Sequence, residues 1–147
     1  MVELILVMVI AGILAAVAVP RMVGRTSFDT RGFADQLAAT VRFAQKLAIA
    51  QRREVFVQLT ANDATLCYSA SVPCANAAPG PGGEKPYTVI APNGVAIASP
   101  LAVLAFDRGG RPQTAALLDI QATLDIQVNG SGTHHVRVER ETGYVHD

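Results

Sequence analysis

The first part of the chain is one long apolar run. A single carboxylate, Glu3, precedes sixteen uncharged residues at positions 4–19, and Pro20 follows them. At about 1.5 Å per residue the run measures roughly 24 Å, slightly less than a hydrocarbon core of about 30 Å, and flanking apolar residues lengthen it. Because the run is apolar on all sides, we expect a helix that is covered by lipid or by other copies of itself. Pro20 removes one helical hydrogen bond, which predicts a kink or a locally melted turn near residues 17–24.

A second helical pattern follows this run. From residue 33 onward, apolar residues recur at helical spacing, while charged and amide side chains fall largely on the other side. The apolar positions are Phe33, Leu37, Val41, Ala44 and Ala48, with Leu47 beside them. We expect this helix to end near Arg52 and to pack through its apolar face on the rest of the chain.

After the helix, the apolar positions recur with a period of two, which is typical of strands. Val55, Val57 and Leu59 alternate with Phe56 and Gln58, and this alternation predicts a half-buried strand. Further strands are predicted at residues 64–69, 87–91, 95–98 and 101–106, with a surface loop at 75–86 and a tight glycine turn at 107–112. The clearest hairpin joins residues 123–128 to 135–140 through the turn at 129–132, and residues 144–145 predict a short final strand.

This order of elements predicts an α+β fold. One long N-terminal α-helix, kinked near Pro20, would pack on a small antiparallel β-sandwich. The length of 147 residues suits one domain together with an apolar segment. We divide the chain into a membrane-spanning half of the helix at residues 1–24, an amphipathic half at 25–53 and a β-rich globular domain at 54–147.

The net charge limits the classes of partner that are expected, and the cysteine content indicates the cellular compartment. Lys plus Arg equals Asp plus Glu, with twelve of each, so no overall field favours nucleic acid or an acidic substrate. Cys67 and Cys74 lie seven positions apart in the polar segment CYSASVPC. We expect a disulfide, which would persist in an oxidising compartment such as the bacterial periplasm. Two free thiols are the alternative, and a metal site is not expected because no His or further Cys stands nearby.

The N-terminal segment resembles a known class of proteins. The string Val-Glu-Leu-Ile at residues 2–5, followed by the apolar run and Pro20, is similar to the N-terminal helix of type IV pilins and type II secretion pseudopilins. The resemblance implies that Glu3 pairs with the free N-terminal amine of a neighbouring subunit. It also implies a basic leader that a prepilin peptidase removes, and N-terminal methylation. Met1 stands where the family has Leu, so we expect a start upstream or a truncated chain. An ordinary signal anchor or an uncleaved secretory signal is the alternative for this segment.

Three further segments resemble one particular family of these proteins. They are FADQLAATVRFAQKLAIAQRREVFVQL at residues 33–59, AFDRGGRP at 105–112 and VRVERETGYV at 136–145. Together they resemble the GspH/FimT family of minor pilins and pseudopilins, and also MshC, a minor pilin of mannose-sensitive haemagglutinin pili. The resemblance implies a pilin-like subunit of a type IV pilus or a type II secretion pseudopilus, at or near the tip. It further implies a single-pass inner-membrane anchor, a periplasmic domain and other pilin or pseudopilin subunits as partners.

Catalytic motifs are absent from the sequence. The chain contains no P-loop, H-E-x-x-H, G-x-S-x-G or G-x-G-x-x-G motif, and no cofactor is expected. His134 and His135 are adjacent on a predicted strand, so they point to opposite faces and do not jointly bind a metal. His146 is next to the end of the sequence. We therefore do not expect an enzyme.

Nucleic-acid binding is the competing function. In the FimT branch, a basic C-terminal Gly-Arg-x-Arg motif is linked to DNA binding during natural transformation. The corresponding region here offers Arg137 and Arg140 among acidic residues, so the motif is not matched. A basic surface would combine these two arginines with those of the glycine turn and with a stripe on the helix, namely Arg108, Arg111, Arg42, Lys46 and Arg53.

Overall fold

Two helices occupy the N-terminal third of the chain. A computed structural model describes the backbone of residues 2–23 and 25–147, and the side chains of residues 2–15 and 27–147. Helix α1 spans Val2–Val23 and helix α2 spans Arg25–Gln51. The helix continues past Pro20, so the melted turn predicted near residues 17–24 is not present as far as Val23. Loss of one hydrogen bond does not break a helix that is otherwise rich in strong helix formers. Gly24 and the side chain of Pro20, on which the predicted kink depends, lie outside the described residues.

Helix α2 buries the predicted face. Phe33 is almost fully buried, and Leu37, Val41, Ala44 and Ala48 are completely inaccessible to solvent. The prediction from helical spacing is therefore confirmed. The helix ends at Gln51, and Arg52 follows with a positive φ of 50°, the left-handed conformation that commonly terminates a helix.

Over the described residues, nine short strands form two antiparallel sheets. The strands are β1 (Val55–Leu59), β2 (Asp63–Cys67), β3 (Thr88–Ile90), β4 (Ala96–Ala98), β5 (Val103–Phe106), β6 (Pro112–Thr114), β7 (Leu124–Asn129), β8 (Thr133–Val138) and β9 (Val145–His146). The five-stranded sheet has the order β3-β2-β1-β5-β6, and the four-stranded sheet has the order β4-β7-β8-β9. Strand β6 was not predicted, because its three residues carry no alternating pattern.

The core lies between α2 and the two sheets. The helix packs chiefly on β8 and β1, one strand from each sheet. In the predicted hairpin, Ile126 pairs with Val136 and Leu124 pairs with Val138, and all four side chains are buried. The α+β architecture, with a long helix on a small antiparallel sandwich, is therefore confirmed.

Strand β1 is more deeply buried than the sequence predicted. Its five residues are all buried, whereas a half-buried strand was predicted. Phe56 and Gln58 point away from α2, and the segment at residues 68–76 covers that side. The alternation did show which residues face the helix. It gave no indication that a distant loop covers the other face.

Candidate assembly surface

Helix α1 exposes its apolar side chains to solvent. All described side chains from residue 2 to residue 15 are exposed, and those of Val2 and Met8 are 79% and 69% accessible. Apolar patches of this extent are typical of surfaces that another molecule covers. Among the described residues, no helix is both long and apolar enough to cross a membrane. The last residues of the apolar run, 16–19, lie outside the described side chains.

Glu3 lies in the first turn of α1. Its side chain is exposed, and it forms no ion pair with any other described residue. A carboxylate at this position interacts favourably with the partial positive charge of the helix N-terminus. The helix dipole is therefore its only favourable charge interaction within the described part of the chain. Its role in subunit pairing stays a prediction. For Pro20, the resemblance implies that the helix melts locally when subunits enter the filament, and this also stays a prediction, since the side chain of Pro20 is outside the described residues.

Phe28 is an exposed apolar side chain on α2. Its side chain is 81% exposed near the start of that helix. The sequence interpretation did not include it. Phe28 precedes Phe33 by five positions, which at 100° per residue places it well away from the buried face. Its helical phase was thus the signal that marked it as a surface residue.

Two turns from separate parts of the chain meet on α2. The side-chain amide of Gln45 donates hydrogen bonds to the carbonyl of Gly110 at 2.9 Å and to that of Thr142 at 2.8 Å. The first turn is held by Asp107, whose Oδ1 accepts from the backbone amides of Gly109 and Arg111 at 2.8 Å each. Gly110 has a φ of +81°, as the glycine turn predicted. Gln45 therefore joins two segments of the family resemblance, although no sequence pattern identified it.

The arginines proposed for nucleic-acid binding face carboxylates. Arg108 lies 3.2 Å from Glu54, and Arg111 and Arg140 both lie 3.1 Å from Glu141. A hydrogen bond from its own backbone amide and another from the Arg108 side chain lower the pKa of Glu54. The fourth arginine, Arg137, is within 4.0 Å of Asp125. The structure thus brings Arg111 and Arg140 together, but as partners of one shared carboxylate.

The basic stripe of α2 is also engaged in intramolecular contacts. Arg42 donates to the backbone carbonyl of Val145 at 3.2 Å, which ties α2 to the last strand. Arg53 was predicted to continue the stripe, but it lies beyond the end of α2. Its guanidinium lies 3.7 Å from the ring centroid of Tyr68, a cation–π geometry. Lys46 is exposed and forms no ion pair within the described chain. The stripe therefore serves partly to hold the domain together.

One histidine on β8 and one on β9 pair with carboxylates. His135 Nδ1 lies 3.0 Å from Asp125 across the β7–β8 pair, and His146 Nε2 lies 3.0 Å from Glu139. The hydrogen bond to Glu139, and then that to the carbonyl of Asp147, raise the pKa of His146. The same bond with His146, and another from Thr123, lower the pKa of Glu139. Over the described residues, no cluster of three or more His, Cys, Asp or Glu has an arrangement suited to a metal ion.

Cys67 and Cys74 form a disulfide in the structure. Their Cα atoms are 5.9 Å apart, within the range that disulfides span. Cys67 ends β2 and is fully buried, and Cys74 lies in the following loop. The bond therefore links the C-terminal end of β2 to the loop that covers the outer face of β1.

The architecture is that of a known minor pilin. No protein-family model and no curated protein matches the chain. Two crystal structures of the type IV minor pilin FimU from Pseudomonas aeruginosa are similar to it, with TM-scores of 0.56 and 0.57 at 12% and 13% sequence identity. The similarity covers 79% of this chain in both cases, and 85% and 90% of the two FimU chains. At this identity the comparison shows the fold, and the chain therefore has the α+β fold of type IV minor pilins.

Proposed function

We propose that this protein is a minor subunit of a type IV pilus or a type II secretion pseudopilus. The observation that supports this role best is the exposed apolar surface of α1 on a chain with a pilin-like fold. A helix that is apolar on all sides is stable only when lipid or other helices cover it. Packing of several such helices side by side would bury this surface in a filament core. Ala11, Gly12 and Ala15 have small side chains that permit close helix approach.

Glu3 has a specific role in this proposal. Within an apolar filament core, an unpaired carboxylate carries a large desolvation cost. Pairing with the N-terminal amine of a neighbouring processed subunit neutralises both charges. The lack of an ionic partner for Glu3 among the described residues is compatible with a partner on another subunit.

Before assembly, the subunit resides in the inner membrane in this proposal. The uncharged run at residues 4–19 forms the single-pass anchor, and the disulfide-bonded domain faces the oxidising periplasm. A precursor that carries a leader is the substrate of a prepilin peptidase, and the new N-terminus is methylated. The mid-chain position of the cysteines, together with the GspH/FimT resemblance, supports a minor subunit placed at or near the filament tip.

The assembly role is tested in the organism that encodes the protein. Glu3→Gln removes the charge while it keeps the size of the side chain, and Glu84→Gln in the exposed loop at residues 75–86 is the matched control. We expect the Glu3 variant to accumulate in the membrane fraction and to be lost from sheared filaments, as measured by immunoblot. The control should enter filaments at the wild-type level.

The outcomes separate the two parts of the proposal. If the Glu3→Gln protein enters filaments normally, the pairing role of Glu3 is wrong while the filament role stands. If the wild-type protein never appears in filaments, the proposed function itself is wrong. Deletion of the gene distinguishes the two kinds of filament, since loss of surface pili indicates a pilus subunit and loss of protein secretion indicates a pseudopilus subunit. Immunogold labelling of wild-type filaments tests the tip position.

A further inference from the structure

The outer face of the five-stranded sheet carries a second apolar cluster. Phe56, Val103 and Ala105 are buried there together with Cys67, on the side of the sheet that faces away from α2. We call these four residues the outer cluster. They are separate from the main core, since the neighbouring strand positions point toward the helix. What covers them is the segment at residues 68–76, which we call the lid.

The base of the lid is firmly held. The backbone amide of Tyr68 donates to the carbonyl of Asn76 at 2.8 Å, and Cys67 pairs with Ala77 in an isolated bridge. Tyr68 is further anchored by a hydrogen bond from its hydroxyl to Gln51 at 2.7 Å. These contacts involve α2 and β2, so they do not depend on how the rest of the lid lies.

The body of the lid has few other contacts. Gln58 donates a side-chain hydrogen bond to the carbonyl of Ser71, and Ala70 packs on the outer cluster. Val72 is 64% exposed, so the largest aliphatic side chain of the lid contributes little burial. The remaining link to the sheet is Cys74, which packs on the outer cluster and is bonded to Cys67. One hydrogen bond and a small apolar contact stabilise the lid only weakly against the entropy of ordering the segment.

We propose that the Cys67–Cys74 bond is a redox-sensitive clasp whose reduction opens the lid and exposes the outer cluster while the domain stays folded. In the oxidised protein, the bond keeps the lid against Phe56, Val103 and Ala105. In the reduced protein, the lid moves away and an apolar patch centred on Phe56 becomes accessible. The outer cluster is therefore covered when the protein is in an oxidising compartment. When the protein is reduced, the cluster is exposed to solvent.

The reductant in this switch is a dithiol. Its thiolate attacks one sulfur of the Cys67–Cys74 bond, which breaks and leaves a mixed disulfide. The second thiol of the reductant then displaces the remaining cysteine. The two electrons and two protons of the dithiol pass to Cys67 and Cys74, which become thiols, and the reductant leaves as a disulfide.

Backbone ¹⁵N NMR relaxation of the full-length protein in detergent micelles tests the proposal. With dithiothreitol as the dithiol, we expect the order parameters of the backbone amides between residues 69 and 75 to fall to those of a flexible loop. The amides of β7 and β8, and that of Ala78 at the base of the lid, should keep the high order parameters of a rigid backbone. Iodoacetamide should then alkylate both thiols under native conditions, although Cys67 is fully buried in the oxidised form. Removal of the reductant and reoxidation should restore the original pattern.

A variant without the bond provides the control. The double variant Cys67→Ser with Cys74→Ser should show a lid with low order parameters without reductant, and dithiothreitol should change nothing further in it. Two results would overturn the proposal. One is a lid that keeps its order parameters after reduction while Cys67 remains unreactive toward iodoacetamide. The other is a loss of order throughout β7 and β8, which would show that the bond stabilises the whole domain and does not act on the lid alone.

Discussion

The carbonyl oxygen of Gly110 lies against the Cα of Gly143, so closely that a Cβ atom at position 143 would overlap it. Gly143 has a φ of +67°, and its amide donates to the carbonyl of Glu139 at 2.8 Å. The same Cβ would lie 2.6 Å from Nε2 of Gln45. The glycine turn, the last turn and α2 therefore meet at one point, where only a residue without a side chain fits.

Replacement of Gly143 by alanine should destabilise the domain by about 2–3 kcal/mol, because the new methyl group clashes and the backbone conformation is strained. Urea unfolding followed by circular dichroism measures this change. Gly83→Ala is the matched control, since its φ is also positive, at +88°, but its Cβ would meet nothing within 4 Å. That variant should cost about 1 kcal/mol from strain alone. Equal losses in both variants would show that the contact with Gly110 does not matter.

Gln45→Ala removes the two hydrogen bonds that join the turns to α2. We expect a loss of about 1–2 kcal/mol, since the carbonyls of Gly110 and Thr142 lose their shared donor. Gln36→Ala is a suitable control on the same helix, because the Gln36 side chain is exposed and makes no hydrogen bond within the described chain. An unfolding free energy that falls by the same amount in both variants would contradict a bridging role for Gln45.

The pair His146 and Glu139 should give the domain a small, pH-dependent stabilisation. The pKa of His146 is raised above 6.5, so its contribution is complete below that pH and is lost as the pH rises through the raised value. The pKa of Glu139 is lowered below 4.5, so its contribution is complete above that pH and is lost as the pH falls through the lowered value. The pair therefore stabilises most between about pH 4.5 and 6.5.

An NMR titration of the imidazole protons measures this pair directly. The midpoint of His146 should lie above 6.5 in the wild type and should fall in Glu139→Gln, because the hydrogen bond to Glu139 is the main cause of the shift. A midpoint for His146 that is unchanged by the substitution would disprove the pairing in solution.

This protein should not bind duplex DNA at physiological salt, because its candidate arginines already face carboxylates. A mobility-shift titration across salt concentrations measures this, and each phosphate contact would contribute about −0.9 to the salt slope. Glu141→Ala should be the variant most prone to gain weak binding, since it removes the carboxylate that Arg111 and Arg140 share. A wild-type shift that Arg137→Ala with Arg140→Ala abolishes would instead support the nucleic-acid function.

Local periodicity was enough to predict the elements that form the core. The spacing of Phe33, Leu37 and Val41 identified the buried face of α2, and the alternation at residues 124–128 identified the inward side of the last hairpin. These patterns work because the period of a helix or strand is a property of the backbone, and burial then selects apolar side chains on one face. The fold class followed from the order of these elements, together with the resemblance of the N-terminal segment to pilins.

Contacts between distant segments were decided by the tertiary structure alone. The alternation in β1 could not show that a lid covers Phe56, because that cover comes from a loop with no periodic pattern. The basic surface predicted around Arg111 and Arg140 considered only where the positive charges fall in the sequence. In the structure, Glu141 lies between these two arginines, because the last turn folds back toward the glycine turn. Gln45 was missed for the same reason, since a polar helix residue gains its partners only when remote turns approach it. Sequence thus determined which faces are apolar, and tertiary packing determined which polar groups meet.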